Sequence, residues 1–211
     1  MKNIGLLIVG LFWIQTLSAQ FQSTEKRFLG GIVAGLNLSQ IDGDAEAGFN
    51  KMGLNVGARG GVILSKKWEI AIEMLFSQKG SQSRMIQGVP RNIKCNLNYL
   101  EIPLEVCFKD WEISDGDAGK SYMRIMASAG LSYNYLIGGS LYLNPSQETL
   151  DRFRKYEVAM RFSASVFFTR NWALNLGWTR SITSITGKDS SGNNWGSAVN
   201  RMLLLRAFYM F

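Results

Sequence analysis

The ten residues Trp68–Ser77, WEIAIEMLFS, alternate large apolar side chains with acidic or small ones. One parity holds Trp68, Ile70, Ile72, Met74 and Phe76, and the other holds Glu69, Ala71, Glu73, Leu75 and Ser77. The run Leu100–Phe108, LEIPLEVCF, repeats the pattern. Because successive side chains of a β-strand point to opposite faces, this alternation predicts strands with one aliphatic face.

The same alternation recurs along the chain in about eight segments. They lie near 28–40, 53–64, 68–80, 96–109, 121–140, 156–169, 172–184 and 200–211. The connections 65–67 and 170–171 are tight turns, and 110–120 has the composition of a turn. The other connections, 41–52, 81–95, 141–155 and 185–199, are long and polar. We therefore predict an all-β, eight-stranded antiparallel up-and-down transmembrane β-barrel, with short periplasmic turns and longer extracellular loops.

Charged residues share the non-aliphatic parity of these segments. They are Arg59, Glu69, Glu73, Glu101, Glu105, Arg124, Arg161 and Arg206. A charge at the bilayer midplane costs about 2–4 kcal/mol, so these side chains are predicted to face the lumen. An eight-stranded barrel is only wide enough for side chains to fill it, which favours a lumenal charge network over an open channel. The network is either purely architectural or responsive to protons or a ligand.

The first nineteen residues are predicted to be a signal peptide. Lys2 gives a positive start, residues 4–14 are apolar, and Leu17-Ser18-Ala19 is a cleavage site of small residues. The apolar part is shorter than the roughly 20 residues that a membrane-spanning helix needs, although a retained anchor is the alternative. Residues 20–211 then form a single barrel domain with 22 basic and 16 acidic residues.

Three residues test the strand assignment. Cys95 and Cys107 lie about 40 Å apart if the stretch between them is extended, too far for a disulfide, although they could pair if that stretch is not a strand. Pro103 lies inside the same stretch, where it lacks a backbone donor, and a bulge is predicted there.

The composition excludes several functions. The chain has no histidine, which removes the commonest general base and the commonest transition-metal ligand. We predict no cofactor, no metal and no enzymatic activity, and a membrane hydrolase is disfavoured because no nucleophile elbow is present. Nucleic acid is not expected as a partner, because the basic residues form no single stripe.

Two further sets of residues are candidates for interaction. The last strand ends in Tyr209 and Phe211, which resembles the terminal signal by which the barrel insertion machinery recognises its clients. A basic loop is predicted from Lys79, Arg84, Arg91 and Lys94, with no acid in 81–95. That loop could meet the phosphates of outer-membrane lipid and lipopolysaccharide or an acidic partner, or it could serve only solvation.

Five segments carry a family resemblance. Gly35–Ser39, Gly48–Gly57, Leu64–Trp68, Phe76–Gly80 and Tyr99–Leu104 resemble the PorT-type outer-membrane β-barrel family of Bacteroidetes, which contains small OmpX- or OmpA-like barrels. The resemblance implies a small barrel in the outer membrane, makes Pro103 a family feature and supplies no catalytic residues. The founding member of that family participates in type IX secretion.

The sequence leaves three functions to consider. The first is a non-enzymatic structural or interaction component of the outer membrane, with a filled, charged interior. The second is an accessory component of type IX protein secretion, and the third is a small gated channel. The predicted partners are outer-membrane lipid and lipopolysaccharide, the insertion machinery, and secretion-system or other envelope proteins.

Overall fold

The computed structural model describes residues 27–42, 48–82, 93–114, 121–143, 146–148, 150–187 and 196–211, so the predicted signal peptide lies outside the described residues. The strands are β1 Phe28–Asp42, β2 Lys51–Ile63, β3 Trp68–Gln82, β4 Ile93–Ser114, β5 Ser121–Leu143, β6 Ser146–Glu148, β7 Tyr156–Phe167, β8 Trp172–Ser181 and β9 Val199–Met210. Within these residues no helix is long and apolar enough to span a bilayer.

Eight of the strands form a closed antiparallel ring. The sheet order is β4-β3-β2-β1-β9-β8-β7-β5, and β4 also pairs with β5, which closes the ring. The predicted eight-stranded barrel is therefore confirmed, and its strand boundaries agree with the predicted segments to within five residues. The short strand β6 pairs with β5, outside the ring, and was not expected from the sequence.

The two ends of the barrel differ. We call the turn end the one where the chain enters β1, leaves β9 and makes the connections 64–67 and 168–171. Both of these connections are tight, because Leu64 N donates to Trp68 O and Phe168 N donates to Trp172 O, each at 2.9 Å. We call the opposite end the loop end, since it carries all the longer connections.

The two faces of the strands separate apolar from polar side chains. In β3 the outward side chains Ile72 and Met74 are exposed, whereas the inward Glu69 and Glu73 are buried. Exposed aromatic side chains lie near both ends of the strands, among them Trp68, Trp172, Tyr133, Tyr135 and Tyr142. An apolar outside around a polar inside, bordered by aromatic residues, is the arrangement of a barrel that faces lipid.

The prediction of a bulge at Pro103 is wrong. The β3–β4 register is the same on both sides of it, with Ile72 opposite Leu104 and Leu75 opposite Glu101, and only the two pairs between them are missing. The missing donor of proline therefore opens a gap in one ladder without shifting it. The irregularity in β4 lies instead between Asn98 and Tyr99, where the register to β5 shifts.

The two cysteines lie twelve positions apart in β4, and both are buried. Cys107 belongs to an apolar cluster towards the turn end, and Cys95 belongs to another towards the loop end. The prediction that extended chain separates them, so that they do not pair with each other, is confirmed.

Candidate functional site in the barrel lumen

Nine charged side chains of the described residues are buried inside the ring, and none is more than 3% exposed. We call them the lumenal charge cluster: Arg59, Glu69, Glu73, Lys79, Glu101, Glu105, Glu157, Arg161 and Arg206. They come from β2, β3, β4, β7 and β9, always from the inward parity of the strand. The inward alternation of five strands therefore brings together side chains that are as many as 147 positions apart in the chain.

Glu73 is the centre of the cluster. Its Oε1 lies 2.7 Å from Arg59 Nη1, and its Oε2 lies 2.8 Å from Arg206 Nη1 and 3.4 Å from Arg161 Nη2. One carboxylate on β3 thus joins guanidinium groups from three other strands. The contacts with Arg59 and Arg206 are charge-assisted hydrogen bonds, which are roughly twice as strong as neutral ones, and the contact with Arg161 is an ion pair.

Arg59 and Arg206 contact different oxygens of this carboxylate. Arg59 Nη2 also contacts Glu69 Oε1 and Cys107 Sγ, each at 3.2 Å. Arg206 donates from Nε and Nη2 to Asn175 Oδ1, at 3.0 and 2.7 Å. Both guanidinium groups also lie over the ring of Phe208, at 5.3 Å for Arg59 and 4.9 Å for Arg206. The aromatic face gives both cations a further favourable contact in a desolvated place.

Arg161 links the centre to the acids of β4. Its Nη1 lies 3.2 Å from Glu101 Oε1, and its Nε lies 3.0 Å from Glu105 Oε1. Glu101 Oε1 also accepts a hydrogen bond from Ser132 Oγ at 3.2 Å. A buried planar guanidinium can hold several carboxylates at once because its donors form a fixed fork.

Lys79 extends the cluster towards the loop end. Its Nζ lies 3.7 Å from Glu101 Oε2, 3.8 Å from Glu157 Oε2 and 4.8 Å from the centre of the Tyr99 ring. Glu157 accepts hydrogen bonds from Ser181 Oγ and from Asn200 Nδ2, the latter at 2.9 Å. These neutral donors hold a carboxylate that no arginine reaches among the described residues.

The charges of the cluster nearly cancel. It contains four cations and five carboxylates, and the partly exposed Lys109 adds a fifth cation 2.5 Å from Glu69 Oε2. Isolated buried charges are very costly, and matched pairs with further hydrogen bonds offset that cost. The balance therefore explains how so many ionised groups can share one interior.

Apolar side chains border the cluster along the barrel axis. Towards the turn end, Val33, Phe208 and Met210 belong to one buried cluster. Towards the loop end, Ile41, Leu97 and Ile185 belong to another. In the described part of the chain, no three histidine, cysteine or acidic side chains are grouped so that they could hold a metal ion.

Seven of the eight residues of the predicted lumenal network lie in the cluster, and Arg124 does not. Arg124 lies at the turn end, with its guanidinium carbon 5.2 Å from the ring centre of Trp111. The pairing of β5 with β7 ends at Ile125, opposite Val166, so Arg124 lies beyond the closed ring. Inward parity places a side chain in the lumen only where the strand has two neighbours.

The predicted basic loop is also corrected. Lys79 is fully buried in the cluster, because it continues the inward parity of Glu69 and Glu73 in a strand that runs to Gln82. Lys94 is exposed at the start of β4, and Arg84 and Arg91 lie outside the described residues.

Sequence reasoning did not find two members of the ion-pair system, Glu157 and Lys109. Glu157 shares the parity of Arg161 in β7, and Lys109 shares that of Glu105 in β4. Both lie within the predicted segments 156–169 and 96–109, so applying the inward parity to the ends of these segments would have indicated them.

The C-terminal aromatic residues lie on the outside of the turn end. The rings of Trp172 and Tyr209 are 4.9 Å apart, and those of Tyr209 and Phe211 are 5.8 Å apart. Phe211 is largely exposed, and its backbone N donates to Gly30 O at 2.9 Å. Their role as an insertion signal stays a prediction.

A family comparison supports the architecture. Residues 18–187 match the outer membrane protein beta-barrel domain family. The fold is similar to that of Ail, the attachment invasion locus protein of Yersinia pestis, at a TM-score of 0.50 and 12% identity, covering 88% of this chain and 100% of that one. Neisserial surface protein A is similar at a TM-score of 0.43 and 14% identity, over 88% and 98% of the two chains.

OprG from Pseudomonas aeruginosa is similar at a TM-score of 0.41 and 11% identity, over 87% and 94% of the two chains. At such identities the likeness concerns the fold alone, and no curated protein matches the sequence. The family match covers most of the chain, and its outward face is suited to lipid. The protein is an integral outer-membrane protein and belongs to the outer membrane protein beta-barrel domain family.

Proposed function

We propose that this protein is a non-enzymatic structural and interaction component of the outer membrane, and that side chains close its lumen to ions. The observation that carries the proposal is the lumenal charge cluster. Its members come from strands around the ring and contact one another across it. An eight-stranded ring leaves little room beyond such side chains.

The energetics of the cluster favour a lumen that stays closed. A continuous water path would have to separate buried ion pairs such as Arg161–Glu101 and Arg206–Glu73. Breaking a buried pair costs about 3–5 kcal/mol, and Glu73 alone takes part in three contacts of this kind. Spontaneous opening that breaks several of them would therefore be rare.

The same geometry argues against catalysis in the lumen. The buried carboxylates face guanidinium or ammonium groups, and the thiol of Cys107 lies against Arg59. A general base or nucleophile must reach a substrate, and these groups are buried within the cluster. This supports a barrel whose lumenal charges stabilise the fold and do not act on a substrate.

Ion conductance in planar bilayers tests the proposal. The wild-type barrel, checked for folding by its faster migration on gels before heating, is expected to show no conductance steps. The variant with both Glu101→Ser and Arg161→Ser removes one anion and one cation together and shortens both side chains. It is expected to conduct. Steady openings of the folded wild type would overturn the proposal and favour the small channel.

A second role, as an accessory component of secretion, has one structural feature in its favour besides the resemblance to the PorT-type family. The β4–β5 hairpin runs past its neighbours at the turn end, with pairs as far as Ser114–Ser121. Trp111 is exposed there and has a positive φ of 61°. A strained, exposed aromatic residue on a projecting hairpin is suited to contact with an envelope protein.

Affinity purification of the tagged protein from outer membranes tests this second role. Co-purification of secretion components with the wild type, and their loss with Trp111→Ser, would support it. Trp68→Ser is the matched control, because Trp68 is an exposed tryptophan at the same end but within the ring. A barrel that purifies alone would remove the secretion role and leave the structural one.

A further inference from the structure

Two arginines lie side by side on the outer wall of the barrel. Arg180 of β8 is directly opposite Arg201 of β9 in the ladder. Both have the outward parity of their strands, and Arg180 is exposed while the Arg201 side chain is 33% exposed. Like charges that face each other across two strands are destabilising unless an anion is shared between them.

Their height on the barrel matches the border of the lipid-facing band. Arg201 is ten residues from Phe211, at the turn end of the same chain segment. Ten residues of a strand span about 33 Å, and a tilt of about 40° reduces this to about 25 Å along the axis. That is about the height of the apolar band of a membrane barrel, so the arginines lie at its loop-end border.

Among the described residues, an acidic side chain pairs with one of the two arginines and not with the other. Arg201 Nη2 lies 2.6 Å from Asp42 Oδ2, whereas Arg180 has no acidic partner among the described residues. Asp42 also accepts a hydrogen bond from Gln40, at 3.0 Å. In the described part of the chain, the pair therefore has one acid for two positive charges on the outer wall.

Apolar side chains lie next to the arginines on the side of the turn end. Trp178 and Leu203 form the outward pair two residues further into the band, and Met160 is opposite Arg180 on β7. A lipid whose head group reached the two guanidinium groups would have its acyl chains against Trp178 and Leu203. Arginine is suited to such a head group because its fork binds phosphate in a bidentate manner.

We propose that Arg180 and Arg201 form a binding site for the phosphate group of an outer-leaflet phosphorylated glycolipid of the lipopolysaccharide type. The site adds to the closed-barrel role and does not depend on it. It is separate from the basic loop predicted from the sequence, because it lies on the wall formed by β8 and β9. Asp42 competes with the phosphate for Arg201, so it tunes the affinity of the site.

Native mass spectrometry of the full-length barrel in detergent micelles tests the site, with diphosphorylated lipid A as the probe. The variant carrying Arg180→Gln and Arg201→Gln is expected to lower the fraction of barrel with bound lipid about tenfold. Arg170→Gln, which removes an exposed arginine at the turn end, is expected to leave it unchanged. Migration before heating shows that each variant is folded.

Two further arms identify the ligand. Dephosphorylated lipid A is expected to bind as weakly to the wild type as diphosphorylated lipid A does to the double variant. Asp42→Asn is expected to strengthen binding of the phosphorylated probe, whereas Asp151→Asn, an equal change of charge at an exposed loop position, is not. Equal binding by the wild type and the double variant would overturn the site. Displacement of the lipid by inorganic pyrophosphate at the same concentration would overturn the lipid as its ligand.

Discussion

Replacing Glu73 by Gln removes the carboxylate on which three arginines converge. Its oxygens lie 2.7 Å from Arg59, 2.8 Å from Arg206 and 3.4 Å from Arg161. Removing one partner of a buried ion pair costs about 3–5 kcal/mol, because it leaves an uncompensated buried charge. We expect a loss at the upper end of that range, since the substitution leaves three cations with one acid fewer. Such a loss is a large part of the roughly 5–15 kcal/mol that stabilises a typical protein.

Urea unfolding of the refolded barrel in detergent micelles measures the loss. With a slope of about 2–3 kcal/mol per molar urea, a loss of about 5 kcal/mol lowers the midpoint by about 2 M. Tryptophan fluorescence reports the transition, and gel migration without heating reports the fraction that is folded at the start.

Glu112→Gln is the matched control. Glu112 lies 2.7 Å from Lys66, but both side chains are exposed at the turn end. Exposed ion pairs contribute little to stability, so the midpoint of this variant is expected to stay at that of the wild type. If Glu73→Gln lowers the midpoint no more than Glu112→Gln does, the lumenal charge cluster does not stabilise the barrel.

Three further predictions concern other parts of the barrel. Gly139→Ala is expected to destabilise the barrel by about 1–3 kcal/mol in the same urea assay, because the added Cβ would lie 2.2 Å from Asn96 O. Gly138→Ala is the control and is expected to be neutral, because its Cβ would meet nothing within 4 Å. Cys95 and Cys107 are buried, so a maleimide should label neither in the folded barrel and both in urea; labelling of the folded form would contradict their positions. A hydrogen bond from Lys67 holds the pKa of Asp110 below its usual range, so the stabilisation it gives is present at neutral pH and lost as the pH falls through that lowered pKa. Lys67→Ala should raise the pKa of Asp110 in a carboxyl NMR titration, and an unchanged value would show that the contact is absent in solution.

The strands could be predicted because lipid imposes a strict alternation on them. Residues 68–77 alone show which parity faces outward, and Glu73, Arg161 and Arg206 then follow from parity. What the alternation cannot tell is where a strand leaves the ring. Arg124 shows this error, since it lies past the last pair of β5 with β7. Lys79 is a different case, because it lies within the predicted segment 68–80 and its inward position follows from the parity of Glu69 and Glu73.

The sequence could not predict which charged side chains contact one another in the lumen, for a different reason. Parity states that Glu73 faces inward, but the arginines it meets depend on register and tilt around the whole ring. Pro103 is an instructive case, because a missing donor is compatible with either a bulge or a gap. Only the register of β3 against β4 distinguishes them. The arginine pair on the outer wall could not be predicted from the sequence either, since Arg180 and Arg201 become neighbours through the β8–β9 pairing.

Arginine side chains paired with carboxylates occupy the middle of the barrel. Proton exchange of the arginine Nε–H groups with solvent, measured by NMR on the folded barrel in micelles, shows whether solvent reaches these side chains. We expect slow exchange for Arg206, whose Nε donates to Asn175 Oδ1 at 3.0 Å, and for Arg161, whose side chain is fully buried and paired with Glu105. Exchange as fast as that of the exposed Arg170 would contradict it, because the lumen would then hold mobile water.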